Sequence, residues 1–197
     1  MTKRAGEVSR NTAETDITVS VNLDGSGKIN VDTPIGFFSH MLELFGRHGG
    51  FDLSVKARGD VDIDGHHLVE DTGIVLGQAI QQALGDKKGI YRYGFCMLPM
   101  DEALARVTLD ISGRPFMAWQ VPDFKHSVGQ LDFELLREFW TGFVNHSRIT
   151  FHVDILRGTN LHHIAEAIFK ASARAMRTAV AIDSRFADQV PSTKGSI

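Results

Sequence analysis

A shift of 96 positions lays one five-residue motif over a second copy, a shift of 98 aligns the segments upstream of each, and that internal duplication constrains the fold more than any other feature. His66-His67-Leu68-Val69-Glu70 and His162-His163-Ile164-Ala165-Glu166 share the pattern HHxxE, and each polar position (66 to 162, 67 to 163, 70 to 166) moves by 96. The likeness extends upstream. Residues 36–48 and 134–146 both read as amphipathic helices, with apolar side chains at three- and four-residue steps. Aligning His48 with His146 also pairs His40 with Glu138. Each helix is followed by an alternating stretch, residues 51–57 and 149–155, that ends at Arg-Gly and reads as strand then turn. Residues 17–23 and 103–111 alternate in the same way. The expected class is therefore α+β: two duplicated halves, each a mostly antiparallel sheet with helices packed on one face. The halves run 1–88 and 89–197 in one compact fused domain, joined where Gly85 to Gly89 stop the first motif helix. The tail, residues 191–197, is polar and has no packing period.

On a helix, side chains three or four apart share a face, so Glu70 can sit beside His66 or His67. Adjacent histidines diverge by about 100°. Each pair therefore serves two metal ions, with the rest of each shell coming from the other copy or from another subunit. Imidazole with carboxylate suits a divalent cation. His40 and Glu138, at matching places, are candidate further ligands that leave positions open for substrate. Asp64 and Asp71 are expected behind the first histidines, holding their far ring nitrogens. The second copy has Asn160 and Ala167 there. His126, His146 and His152 carry no such pattern, and His152 reads equally as an interior histidine. Arg92, Arg114 and Lys194 lie at loops, the last within Pro191-Ser192-Thr193-Lys194-Gly195, where charged donors and backbone N–H groups suit phosphate. No Walker pattern is present.

The 197 residues are 43% hydrophobic and 23% charged, with a net charge of −3. That balance offers no electrostatic attraction for nucleic acid or an anionic membrane. A lone cysteine, Cys96, cannot close an internal disulfide and fits a reducing compartment. Residues 1–7 lack the apolar stretch of a secretory signal. No apolar run approaches the roughly 20 residues of a membrane span. A cytoplasmic protein is expected.

With these residues assembled, the chain resembles the imidazoleglycerol-phosphate dehydratase family nearly end to end. The resemblance rests on Arg10-Asn11-Thr12-Ala13-Glu14-Thr15, Phe37-Phe38-Ser39-His40-Met41, Asp64 through Asp71, Asp101-Glu102-Ala103-Leu104, Asp110 through Pro115, His162 through Lys170, and Pro191 through Gly195. It implies a homo-oligomer, a 24-mer built from trimers, with two Mn2+ ions per site lying between subunits. One ion would take His40, His67, Glu70 and one of His162 and His163. The other would take His66, the remaining histidine, Glu166 and Glu138, where many members have histidine. Arg92, Arg114, Lys170, Ser192 and Lys194 match positions that hold the substrate phosphate, and His48 and Thr193 are expected with them as substrate contacts. Glu14 matches an acidic residue that reaches the glycerol chain. The implied reaction dehydrates imidazole-glycerol phosphate to imidazole-acetol phosphate in histidine biosynthesis, through a manganese-bound imidazolate and a diazafulvene-like intermediate. Glu14, Glu70 and Glu166 are the expected catalytic carboxylates. Two other readings of the residues compete, a metal-dependent hydrolase and a non-catalytic protein whose ions staple subunits together.

Overall fold

The duplication is plain in the computed structural model, which describes residues 4–197; Met1, Thr2 and Lys3 of the opening stretch read for a leader lie outside the described residues. The first half runs β1 (Ala5–Asn11), β2 (Thr15–Asn22), β3 (Ile29–Asp32), α1 (Gly36–Gly49), β4 (Asp52–Gly59) and α2 (His66–Leu84). The second runs β5 (Tyr93–Met100), β6 (Ala103–Asp110), β7 (Phe116–Gln120), a small hairpin of β8 (Ser127–Val128) and β9 (Leu131–Asp132), then α3 (Leu135–Ser147), β10 (Thr150–Arg157) and α4 (Leu161–Val180). Apart from that hairpin, the element order is the same.

Each half builds one four-stranded sheet, ordered β1-β2-β4-β3 and β5-β6-β10-β7. In both, two pairings are antiparallel and the last edge strand is parallel to its neighbour. The expected α+β class of duplicated, mostly antiparallel sheets is what the chain adopts. Sequence alternation marked only the central strands. There, Ile17, Val19 and Val21 stand opposite Ala57, Val55 and Leu53, and Ala105, Val107 and Leu109 stand opposite Ile155, Val153 and Phe151. Most of these side chains are buried. Edge strands such as β1 (AGEVSRN) carry few buried residues. An edge strand has one ladder and a more solvated face, so it needs no apolar alternation to be recruited.

The helices lie between the sheets. α2 covers β1 and β2, α4 covers β5 and β6, and the two layers meet as α2 on α3 and α1 on α4. One apolar cluster consequently runs through both halves, with Phe38, Phe45, Phe139, Trp140, Phe143, Phe151 and Phe169 fully buried. Trp140 stacks on Phe151 with ring centroids 5.0 Å apart. Glycine lets α2 and α3 approach closely: a Cβ on Gly73 would stand 2.2 Å from the Phe139 carbonyl oxygen. The pairing crosses the halves. The helix preceding each HHxxE motif packs against the motif helix of the other half, and this swap decides which residues meet. No helix among the described residues is long and apolar enough to cross a membrane.

Candidate metal centre

Both HHxxE copies occupy the first turn of a helix, and each copy has a side chain capping that turn. Asp64 Oδ1 accepts the His66 backbone N–H at 2.7 Å, and Asn160 Oδ1 accepts those of His162 and His163 at 2.9 and 3.4 Å. Asn160 is thus a working counterpart of Asp64. Both satisfy orphan amides of a helix start; Asp64, expected behind the first histidines, hydrogen-bonds the backbone and not a ring, although its charge adds to that of Asp60 and Glu14 in favouring the protonated His67. Asp71 is corrected too. It is buried, and its carboxylate takes Arg10 Nε at 3.0 Å and the Thr15 hydroxyl at 2.5 Å.

Second-copy ligands converge within the chain. His40 Nε2 and His162 Nε2 both donate to Glu166 Oε1, at 2.9 and 3.2 Å. The three ligand atoms lie within 4.8 Å of one another. Lys170 Nζ pairs with the other oxygen of Glu166 and with Met100 Sδ at 3.5 Å. Burial opposes ionisation of Glu166, but Lys170 and the two imidazoles outweigh it and hold the carboxyl at about 2. Two ring nitrogens aimed at one carboxylate oxygen suit a divalent cation replacing the shared protons. This grouping differs from the division implied by the resemblance, which put His40 and Glu166 on different ions. The reason is the swap of helix partners: α1 lies on α4, so His40 faces the second motif.

The first copy is looser. His66 Nε2 is 3.7 Å from Glu70 Oε2, and both side chains are over 40% exposed. Glu138, half-buried on α3, lines a cavity of about 400 Å³ together with His66, Trp119, Phe124 and Arg137. Each residue of the matched pair His40 and Glu138 therefore sits beside the motif of the opposite half.

The outer histidine of each motif is backed by a carboxylate that sequence spacing did not single out. His67 Nδ1 donates to Asp60 Oδ2 at 3.0 Å, and His163 Nδ1 donates to Glu102 Oε2 at 2.6 Å. A carboxylate accepts only, so each ring carries a proton on Nδ1 and has Nε2 left to offer a metal, although His163 Nε2 stands 3.6 Å from Asp101 Oδ2. Asp60 and Glu102 respectively raise the proton affinity of His67 and His163. Glu102, which also accepts the backbone N–H groups of Asn160 and Thr159, is itself held at about 2. Glu14 follows the same geometry. It lies at the β1–β2 turn as Glu102 lies at the β5–β6 turn, and its Oε2 is 3.8 Å from His67 Nδ1. The signal available in sequence was positional, an acid in the turn of each half's opening hairpin.

The expected phosphate contacts lie elsewhere in the chain. Arg92 clamps Asp110 through Nε and Nη2 at 2.6 and 3.1 Å and donates from Nη1 to the Pro191 carbonyl at 2.8 Å. Arg114 is exposed and 3.8 Å from the same carboxylate. Ser192 is part-buried, and Thr193 and Lys194 are exposed. These residues gather at the start of β5, whereas Glu102 and His163 sit at its far end. Eight strand residues separate the two by about 23 Å. Lys170 belongs to the metal end. So does His48, whose proton affinity is lowered by burial and by the cations Lys170 and Arg174. Of the remaining histidines, His146 donates to the Gly142 carbonyl on its own helix at 2.8 Å, and His152 is exposed on the outer sheet face against Phe116.

Comparison with known proteins agrees with this architecture. Residues 33–176 match the family model described as imidazoleglycerol-phosphate dehydratase. Proteins of that name from Ruegeria sp. and Albidiferax ferrireducens are 58% and 57% identical over 194 residues, which is 98% of this chain and 100% and 95% of theirs. The crystal structure of imidazoleglycerol-phosphate dehydratase from Staphylococcus aureus superposes with a TM-score of 0.82 at 41% identity, covering 91% of this chain and 99% of that one. The Pyrococcus furiosus enzyme, crystallised with (S)-C348, also gives 0.82, at 36% identity over 96% and 100% of the two chains.

Proposed function

The chain belongs to the imidazoleglycerol-phosphate dehydratase family, and from that premise we propose that it is a manganese-dependent hydro-lyase of histidine biosynthesis, converting imidazole-glycerol phosphate to imidazole-acetol phosphate in the cytoplasm. The observation that carries the reading is the convergence of His40, His162 and Glu166, repeated in looser form by His66, Glu70 and Glu138. The donor set fits a divalent ion: neutral imidazole nitrogens and a carboxylate that is ionised at neutral pH. His40, His162 and Glu166 would hold one ion, and His66, His67, Glu70, Glu138 and His163 would contribute the other positions. Bound ions would supply Lewis-acid withdrawal of charge from a ring nitrogen.

The chain's own residues account for the rest. The substrate must lose the hydroxyl next to its imidazole ring and a proton from the following carbon. Once its N–H proton is lost, the ring is electron-rich enough to expel the hydroxyl, protonated to water, giving a diazafulvene-like species. Loss of the carbon-bound proton then yields an enol that becomes the ketone. Glu14 is the group assigned to this proton traffic: it is exposed, stands beside His67, and can pass the proton released by the ring nitrogen to the departing oxygen and then, as a carboxylate, take the carbon-bound proton at Oε2. Glu70 and Glu166 are the alternative bases. Arg114, Ser192, Thr193 and Lys194 would take the phosphate, with Arg92 holding the tail loop through Asp110 and Pro191. His48 and Lys170 would contact substrate from the metal end.

Assembly is part of the reading. Across about 23 Å, one small substrate cannot touch both the second-motif cluster and the Arg114 loop of a single chain. The first motif is open to solvent and rimmed by Glu14, Asp60, Asp64 and Glu70, so it can receive groups from a second copy. The second sheet's outer face exposes Tyr93, Phe95, Met97 and Phe116, where the first sheet's is polar. These features favour a homo-oligomer, a 24-mer of trimers in the family's pattern, with the halves 1–88 and 89–197 folding as one domain.

An assay with imidazole-glycerol phosphate tests the reading directly. Ketone formation is expected, lost with chelator and restored by added manganese. Phosphate release in its place points to a hydrolase. Unchanged turnover of Glu14→Gln removes Glu14 from the mechanism.

A further inference from the structure

The opening hairpins of the two halves share one frame. The pairs Arg10–Ile17 and Asn11–Asp16 of β1 and β2 have as counterparts Leu98–Ala105 and Pro99–Leu104 of β5 and β6, a constant step of 88 (10 to 98, 17 to 105). The same step takes Gly6 to Gly94, and these glycines let each hairpin lie against its motif helix at the Ala79 and Ala175 carbonyls. On this frame Glu14 and Thr15 correspond to Glu102 and Ala103. Asp71 of the first motif helix corresponds to Ala167 of the second.

Where the second half packs Leu98, Ala103 and Ala167, the first places Arg10, Thr15 and Asp71. Thr15 is 3% and Asp71 8% exposed. Arg10 Nε donates to Asp71 Oδ1 at 3.0 Å, and the Thr15 hydroxyl donates to Asp71 Oδ2 at 2.5 Å. With its proton committed to a carboxylate, Thr15 Oγ1 accepts from the Thr12 hydroxyl, 3.2 Å away. Thr12 Oγ1 in turn accepts the backbone N–H groups of Glu14 and Thr15 at 3.1 and 2.9 Å. A one-way chain of hydrogen bonds therefore runs from the motif helix to the backbone of Glu14.

A buried carboxylate is costly to desolvate, and apolar residues of similar volume often serve stability as well or better. The second half closes the same frame on apolar residues. What sets the two apart is the acid at the turn. The Glu102 carboxylate is fixed directly, by the amides of Thr159 and Asn160 and by the His163 ring. The Glu14 side chain is 55% exposed, and its carboxylate accepts no hydrogen bond from the described residues. A carboxylate left free to exchange protons must be held through its backbone.

We propose that Thr12, Thr15 and Asp71, with Arg10 balancing the charge of Asp71, are positioning residues that hold Glu14 at the first metal motif, a role that rests on Glu14 serving the proposed dehydration. They act through Glu14 and touch no reacting atom.

Steady-state kinetics of the manganese-loaded protein with imidazole-glycerol phosphate test this. Thr15→Val keeps the side-chain shape and removes the hydroxyl. It is expected to lower kcat about 10–100-fold with KM and manganese affinity little changed, since a misplaced acid–base group loses rate more than binding. Thr15→Ser is expected to restore most of kcat. The decisive readout is a double-variant cycle. Glu14→Gln/Thr15→Val should be no slower than Glu14→Gln alone, because Thr15 reaches the reaction only through Glu14. A multiplied loss in the double variant, native kcat in Thr15→Val, no recovery in Thr15→Ser, or manganese affinity falling with the rate overturns the proposal. If Thr15→Val does not fold, Thr15→Ala, which matches the second half's Ala103, takes its place in the cycle. A native chain that does not dehydrate, or Glu14→Gln at native turnover, removes the underlying reading and the positioning role together. Slow Glu14→Gln beside fast Thr15→Val removes the positioning role alone.

Discussion

The same five-residue motif meets two different environments in this molecule. Around α4, His162 and Glu166 close on His40, and Glu166 is buried, charged and backed by Lys170. Around α2, His66 and Glu70 stand 3.7 Å apart and exposed, amid further carboxylates. The motif is identical, so the difference comes from what packs beside it: α1 brings a histidine to α4, and α3 brings Glu138, with Leu135 and Arg137, to the cavity at α2. The nearly closed half and the half open to solvent support the proposal of a centre shared between copies, since the open half can receive a second copy's residues.

The largest effect should separate the two halves at their carboxylates. Glu166→Gln is expected to lower turnover by about 10²–10³-fold, the scale for losing one preorganised charge-stabilising group. Glu70→Gln should do the same for turnover, and Glu166→Gln should in addition alter acid stability. With a folded value of about 2 against the usual 4.5, Glu166 stabilises the protein fully above pH 4.5 and progressively less as pH falls toward 2. Melts in chelator over that range should flatten in Glu166→Gln. Equal acid profiles for native and variant would break the comparison.

Next in size are the carboxylates behind the outer histidines. Asp60→Asn and Glu102→Gln should each weaken manganese affinity about 10–100-fold, measured by calorimetry. Glu102→Gln should also lower the melting temperature more, since its single carbonyl oxygen can serve the 159–160 backbone amides or the His163 ring but not both. Equal affinity in either variant would remove that carboxylate from ligand support.

A smaller effect follows from the raised His67 and His163. In metal-free protein these rings stay protonated in the folded state above the usual 6.5, so their ion pairs stabilise fully below pH 6.5. That contribution fades as pH rises through the higher folded values. Melts in chelator between pH 6 and 8.5 should therefore show a shallower decline in Glu102→Gln, and an identical slope would exclude the His163 contribution. The smallest expected change is at the caps. Asn160→Ala should cost about 1 kcal/mol and Asp64→Ala no more than that, read from denaturant midpoints. Asn160 serves two amides and Asp64 one.

Much of the centre was legible because local periodicity carries it. The 3.6-residue step put Glu166 over His162, and the period of two marked the central strands β2, β4, β6 and β10. The polar edge strand β1 escaped notice because it buries too little to show a period. Asp60 and Glu102 escaped notice because a carboxylate in a turn looks the same whether or not an imidazole lies across from it. Asp71 misled for the opposite reason. It adjoins Glu70 in sequence, yet the helix points it inward to Arg10 and Thr15.

From the chain of letters alone came the duplication, the two motif helices with their ligating faces, and the α+β alternation, all set by interactions within a few residues. Only tertiary structure decided that α1 lies on α4 and α3 on α2, that Arg92 spends its guanidinium on Asp110, and that Asp71 is buried between Arg10 and Thr15. Such partners are chosen by long-range fit of apolar surfaces and glycine-lined helix contacts such as Gly73 against Phe139, which no local pattern encodes.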